Sequence, residues 1–263
     1  MNPAVPTWAG VAASAALIAL TIAVAWHGRL HLARDVAVAA ARAALQLAAV
    51  GALLLLAFRH TGLAGAIGWL ALMVLIAGQV AARRTRDLPK ALPTATAAIT
   101  VGTAATMGTL LALGVIATQA RVVIPVGGMV VSGAMQATAL ALTRLHDEVR
   151  AARPAIEARL SLGLSAADAF APHQRTIVRT ALIPALDSTK TVGIISLPGA
   201  MTGLILAGVD PFTAIRYQIV VMYMLLAAAA LAALLAVRLA ERALFDEAHR
   251  LRPLAERPAS RRR

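Results

Sequence analysis

Residues 187–211 read DSTKTVGIISLPGAMTGLILAGVDP. The stretch is apolar enough to enter a membrane, yet it opens on Asp187 and Lys190, carries Pro198 near its middle and holds Gly193, Gly199, Gly203 and Gly208. A segment that only filled lipid would need neither the proline nor the glycines. Pro198 has no amide to donate and leaves the carbonyl of Ile194 without its helical partner, so a kink or break is expected. Such backbone is tolerated at membrane depth only where protein or a water-filled path covers it. Gly199, Gly203 and Ala207 recur every fourth residue, a small-x-x-x-small ridge that admits another helix at close range. Two readings stand: a helix that lines a translocation path or a contact between two copies, and a static helix with a structural kink. Asp187 and Lys190, three apart, share a helix face at the inner end of the segment. They either pair there, with each other or with Arg42, as a hinge, or snorkel to water.

The rest of the chain supports a membrane reading. Of 263 residues, 60% are hydrophobic and only 14% charged, and a mean hydropathy of +0.77 lies outside the soluble range. Several apolar runs reach the roughly 20 residues needed to cross a bilayer core of about 30 Å. The pattern predicts an all-α integral membrane protein with seven spans, at about 8–26, 36–58, 62–82, 93–117, 122–142, 187–208 and 213–237. Between the fifth and sixth lies a polar stretch, 143–186, and after the seventh a basic tail, 238–263. The apolar run after Met1 lacks a basic leader and reads as a retained helix. Aromatic residues make up only 3% of the chain, so Trp8 and Trp26 supply a thin interface belt around the first span.

The net charge of +13 follows from topology. With the N-terminus outside and the C-terminus in the cytoplasm, the inner side collects Arg29, Arg34, Arg83, Arg84, Arg86, Lys90, six arginines of 143–186 and eight from Arg238 onward. The outer side keeps Arg59, Arg121 and Arg216. This is the positive-inside bias of a multi-pass protein, here of a bacterial inner membrane, and it leaves no basic surplus that calls for nucleic acid. The basic tail lies beside anionic lipid headgroups.

What is missing narrows the function. There is no cysteine, which excludes disulfides, iron–sulfur clusters and thiolate metal sites. There is no phosphate loop, no His-Glu-x-x-His and no Gly-x-Ser-x-Gly, so no catalytic residue is expected on this chain. All six histidines lie in loops or tails, and no carboxylate falls near the centre of a predicted span, with Asp35, Asp187 and Asp210 only at ends. Proton- and sodium-coupled carriers place an acid at mid-membrane depth. The chain is therefore expected to depend on another protein for energy, the alternative being an ion- or proton-coupled secondary carrier that works without an ATPase.

Arg42 sits about two turns into the second span, with Gln46 one turn further on the same face. A membrane-embedded arginine costs about 2.5–3.5 kcal/mol near a helix centre, so it needs either a structural partner or an anionic substrate. Met129, Met135, Met201, Met222 and Met224 read as packing residues or as thioether ligands. The threonines of the fourth span, from Thr94 to Thr109, are expected to bond to carbonyls one turn back.

In the polar stretch, Ile156, Leu160 and Leu164 recur at helical spacing, and Ser165 with Asp168 forms an N-capping arrangement. Two short amphipathic helices broken at Gly163 are predicted, the alternative being an ordinary loop lying on the membrane surface. Within them, IEARLSLG (156–163) resembles the Glu-Ala-Ala-x-x-x-Gly element with which ABC-transporter permeases engage their ATPase, Arg159 replacing the second alanine. The blocks ARAALQL (41–47), IPVGGM (124–129), IPALDSTKTVGIISLPGAMTGLILAGVDP (183–211) and YQIVVM (217–222) extend the likeness. From about Arg42 to Ala240 the chain resembles the FetB family of iron-export ABC permeases, relatives of the plant aluminium-tolerance permease subunits. The resemblance implies a permease homodimer that exports a metal ion or metal complex. ATP and magnesium would be bound by a separate soluble ATPase subunit and no cofactor by this chain. Glu157, Ala158 and Gly163 would then be the coupling residues, and Arg42, Gln46, Met129, Met135, Asp187, Lys190, Pro198, Gly199 and Gly203 candidates for the path or its hinges; no metal ligands are assigned. Ser132 and Gly133 stand where the family pattern has Gly and Asn.

Overall fold

The computed structural model describes residues 7–28, 32–60, 62–85 and 87–254, with side chains 52–60 excepted. Arg29, Arg86 and the end of the basic tail, 255–263, lie outside the described residues. The chain divides into two units, 1–61 and 62–263. In the first, α1 (Trp8–His27) packs on α2 (Ala33–His60). Thr7 starts α1 by accepting the Gly10 amide on its hydroxyl, the usual N-cap arrangement.

The second unit contains α3 (Leu63–Arg83), α4 (Ala91–Ala112), α5 (Ala120–Ser161), α6 (Ala166–Thr191), α7 (Gly199–Leu206) and α8 (Pro211–Leu244). Lipid tails are as apolar as leucine, so close packing rather than hydrophobicity must hold such helices together. The sequence supplies it with small residues. One face of α8 buries Ala228, Ala229, Ala232, Ala233, Ala236 and Ala240. Opposite it, a Cβ at Gly102 of α4 would lie 3.0 Å from the Ala232 methyl and 3.2 Å from the Ala228 carbonyl oxygen. Gly78 meets Thr96 where α3 crosses α4, and Gly127 meets Leu70 where α5 crosses α3. Three of the α4 threonines behave as their spacing predicts: Thr100, Thr106 and Thr109 donate to the carbonyls of Thr96, Gly102 and Ala105. Thr103 is buried with its hydroxyl unpartnered among the described residues.

Among the described residues, five helices are long and apolar enough to cross a membrane: α1, α3, α4, α5 and α8. The expected second span is α2, which carries Arg34, Asp35 and Arg42 and is not one of the five. The expected sixth span is not one helix. Its first residues end α6 at Thr191, residues 192–198 are irregular, and Pro198 becomes the N-cap of the eight-residue α7. Gly193 is the reason for the stop. With φ +83° it adopts a left-handed conformation that side chains disfavour, and its amide turns back to the Ser196 carbonyl at 2.9 Å. Pro198 therefore starts a helix rather than kinking one, a position its fixed φ favours.

The polar stretch 143–186 is almost wholly helical. Of the 42 residues of α5, which span about 63 Å, only the first half is apolar, and the helix continues well past a bilayer's thickness. The turn at Gly163 (φ +87°) then reverses the chain. Ser165 caps α6, its hydroxyl accepting the Asp168 amide and donating to the Asp168 carboxylate. The two helices run antiparallel, with Glu148 facing His173 at 2.7 Å. Equal steps from that pair bring Ser188 level with Gly133. By sequence Asp187 fell at the inner end of a span. In the fold it lies level with the middle of the apolar part of α5, because the helix that bears it starts 21 residues earlier, at Ala166.

Gly102→Val is expected to overpack the α4–α8 contact and to cost about 1–3 kcal/mol. Gly108→Ala, with open space around the position, should be neutral or slightly stabilising. Thermal unfolding in detergent compares the two, and equal melting temperatures for the valine variant and the wild type would refute the close contact.

Candidate functional site

Where the alanine stripe of α8 gives way to Met222, Leu225 and Leu226, the helices part. A cavity of about 840 Å³ opens between the end of α3, the middle of α5, the last turns of α6 and α8. On α5 the wall is made by Gly128, Met129, Ser132, Gly133, Met135 and Gln136; Ser188 and Thr189 of α6 and Arg84 after α3 also line it. Ser132 and Gly133, the two positions that depart from the family pattern, thus both face the cavity. A Cβ at Gly133 would lie 3.3 Å from Leu225, so the glycine lets α8 stand close and leaves the wall without a side chain there. The Gln136 amide donates to the Ser132 hydroxyl at 3.2 Å, and Thr189 donates to the Ala185 carbonyl. One turn beyond Met222 on α8, Gln218 is buried (5% exposed) with its side-chain oxygen unpartnered among the described residues.

The polar groups of the wall are hydroxyls, one amide and one guanidinium. No carboxylate or histidine lines it, and among the described residues no three His, Asp or Glu side chains are placed to hold a metal ion. Met129, Met135 and Met222 contribute soft thioethers to an otherwise apolar surface.

The expected site residues divide into four places. Met129 and Met135 line the cavity. Arg42 and Gln46 occupy exposed positions of α2 in the first unit. Asp187 and Lys190 lie on the back of α6, away from the face of Ala181, Pro184, Ala185 and Ser188 that lines the cavity; both are exposed and form no ion pair with each other. Pro198, Gly199 and Gly203 lie at and beyond the break, where Ile194 (88% exposed), Ile195 and Leu197 are bare and a Cβ on either glycine would meet nothing. Sequence reasoning passed over Arg84, Gln136 and Gln218. Arg84 had been counted only as a topological charge. The Ser132–Gln136 pair, four apart in an apolar run, was the one local signal.

The coupling candidates sit at the far end of the α5–α6 hairpin. Glu157 and Ala158 are exposed, Gly163 makes the turn, and Leu162 beside it is 79% exposed. Ile156 is fully buried beneath them. A C-terminal turn braces the hairpin. Arg153 pairs with Glu157 at 2.8 Å and donates to the carbonyls of Leu251 and Arg252. The His249 ring accepts the Ala166 amide at the start of α6, and Phe245 packs edge-on against the buried Phe170.

Comparison with known proteins places the chain. The family model for the uncharacterised protein family UPF0014 matches residues 8–245. The chain is 38% identical over 239 residues to the UPF0014 membrane protein STAR2 of Oryza sativa subsp. japonica, covering 91% of this chain and 84% of that protein. It is 36% identical over 235 residues to the "Probable iron export permease protein FetB" of Escherichia coli (strain K12), covering 89% and 91%. To the protein ALUMINUM SENSITIVE 3 of Arabidopsis thaliana it is 34% identical over 244 residues, covering 91% and 88%. No solved structure matches the chain.

Arg153→Ala removes an ion pair and two bonds to carbonyls at once. The C-terminal turn should loosen by about 1–3 kcal/mol, read as faster amide exchange at 245–252 with α3 and α4 unchanged. Unaltered exchange there would mean that the arginine does not hold the turn.

Proposed function

The chain belongs to the UPF0014 family of membrane proteins, and from that premise we propose that it is the permease subunit of an ABC transporter exporting a metal ion or metal complex. One observation carries the proposal: the hairpin tip with Glu157, Ala158, Leu162 and Gly163 stands exposed about 30 Å beyond the apolar part of α5, within reach of a soluble ATPase. The named permease relative in Escherichia coli, matched over most of both chains, supports it further. ATP and magnesium are bound by the ATPase, and ATP-driven closure of two ATPases pushes the tips. With α5 continuous from the tip to Met129 and Met135, the push reaches the cavity along one helix and alternates its access. The end of the bundle bearing Arg83, Arg84 and Lys90 faces the cytoplasm of a bacterial inner membrane.

The permease works as a homodimer. Asp187, Lys190 and the irregular segment 192–198 share an exposed face level with the apolar part of α5, and charge at that depth needs a protein cover. A second copy meets that need, offering Lys190 to Asp187 and Asp187 to Lys190 across a twofold axis. A secondary carrier is the second reading. It gains support from the same Asp187, which lies deeper than its place in the sequence indicated.

Co-purification with the candidate ATPase separates the two readings. The wild type should capture the ATPase. Leu162→Asp, a surface change, should lose it while melting near the wild-type temperature, and Gly163→Trp, which strains a left-handed turn, should lose it with a lower melting temperature. A wild-type chain that captures no ATPase and transports alone would replace the permease by the carrier.

A further inference from the structure

The cavity is built for a different cargo from a bare metal ion. A hard cation such as iron or magnesium gives up its water only to anionic or strongly polar oxygens, or to imidazole and thiolate where the metal is softer. The wall offers no anionic oxygen, imidazole or thiolate, and a single side-chain amide carbonyl, that of Gln136. Its oxygens are the neutral hydroxyls of Ser132, Ser188 and Thr189 and the Gln136 amide; its sulfurs are thioethers. Its one formal charge is positive. Arg84 has no ion-pair partner among the described residues, and the nearest carboxylate in sequence along α6, Asp187, lies on the helix's other side. A dehydrated cation in this space would meet repulsion and no compensating charge. The size argues the same way, since about 840 Å³ falls in the range of pockets that hold whole organic ligands, about 300–1,000 Å³.

The geometry points to an oxygen-rich organic anion as the ligand of this cavity, so that a metal is carried as its anionic carboxylate chelate. The guanidinium of Arg84 supplies the planar fork that takes a carboxylate through two parallel bonds. The Ser132 and Ser188 hydroxyls and the second amide hydrogen of Gln136 donate to carboxyl oxygens of the chelator, while Thr189, whose own hydrogen lies on the Ala185 carbonyl, accepts from its hydroxyl. Met129, Met135 and Met222 provide the apolar side. This inference rests on the permease reading for the direction of movement, but the binding itself can be tested on the chain alone.

The test is equilibrium binding of radioiron to the full chain in nanodiscs of zwitterionic lipid, where no anionic headgroup competes for Arg84. Three probes are compared: iron(III)–citrate, citrate alone as competitor, and reduced iron(II) without chelator. Iron(III)–citrate should bind saturably and be displaced by citrate. Arg84→Ala and Gln136→Ala should each weaken it, the arginine variant by about tenfold or more, and Arg84→Lys should restore part of the loss. Arg84 is exposed at a helix end, so its variants should melt with the wild type. Saturable binding of iron(II) alone that Arg84→Ala leaves unchanged or tightens would overturn the inference, as would a wild type that does not bind the chelate. ATPase capture is a separate readout. A chain that captures the ATPase but binds only iron(II) refutes the ligand class alone. One that binds the chelate and captures nothing refutes only the coupling.

Discussion

The closeness of α8 to α4 and α5 is the constraint on which the second unit depends. In a membrane the hydrophobic effect does not draw helices together, so their attraction comes from dispersion over short distances and is lost when a gap opens. The alanine stripe of α8 and Gly102 of α4 keep the axes near enough for it. Once α4, α5 and α8 are set at that spacing, the larger side chains of Met222, Leu225 and Leu226 no longer fit the same approach, and the helices part at that level. The cavity thus lies where larger side chains replace alanine on α8, while α5 and α6 keep small residues, among them Gly128, Gly133, Ala181 and Ala185, on its wall.

The same long helices join the cavity to the hairpin. The α5 helix contains both Met129 and Glu157, and α8 ends in the turn that Arg153 and His249 fasten to the α5–α6 hairpin. Buried Phe170, Leu244 and Ile156 fill the space between them as in a small soluble domain. The hairpin therefore combines two kinds of stabilisation: small-residue packing at the apolar end, and an ordinary hydrophobic core with hydrogen-bonded bracing at the polar end. A force on the tip meets a braced lever rather than a flexible loop.

The break at 192–198 has the opposite character. Gly193 takes a left-handed conformation and Pro198 begins a new helix, so the chain gives up regular hydrogen bonding at the depth where replacing it is hardest. The bare Ile194, Ile195 and Leu197 and the charges of Asp187 and Lys190 share this region. Lipid suits the isoleucines but not the charges, while turn bonds such as Gly193 to Ser196 take up part of the backbone.

Much of the fold was legible in the sequence, because bilayer crossing depends on local composition: runs of about 20 apolar residues, their flanking arginines, the Ser165 cap and the glycine that ends a helix each act within a few residues. Those features determined an all-helical membrane protein, a break at Gly163 and an interruption near Pro198, whereas the two helices meeting at Gly163, expected to be short, are continuous with their neighbouring apolar segments. Only the tertiary structure decided where the cavity lies, and that Arg84, Ser132, Gln136, Ser188 and Thr189 share it, for these residues come from three elements far apart in the chain. It also decided the depth of Asp187, which depends on how far α6 runs before Gly193 stops it and on which residue of α5 it faces. Composition reports whether a segment prefers lipid. Its register against a neighbouring helix is set by packing and by pairs such as Glu148 and His173, which no single segment contains.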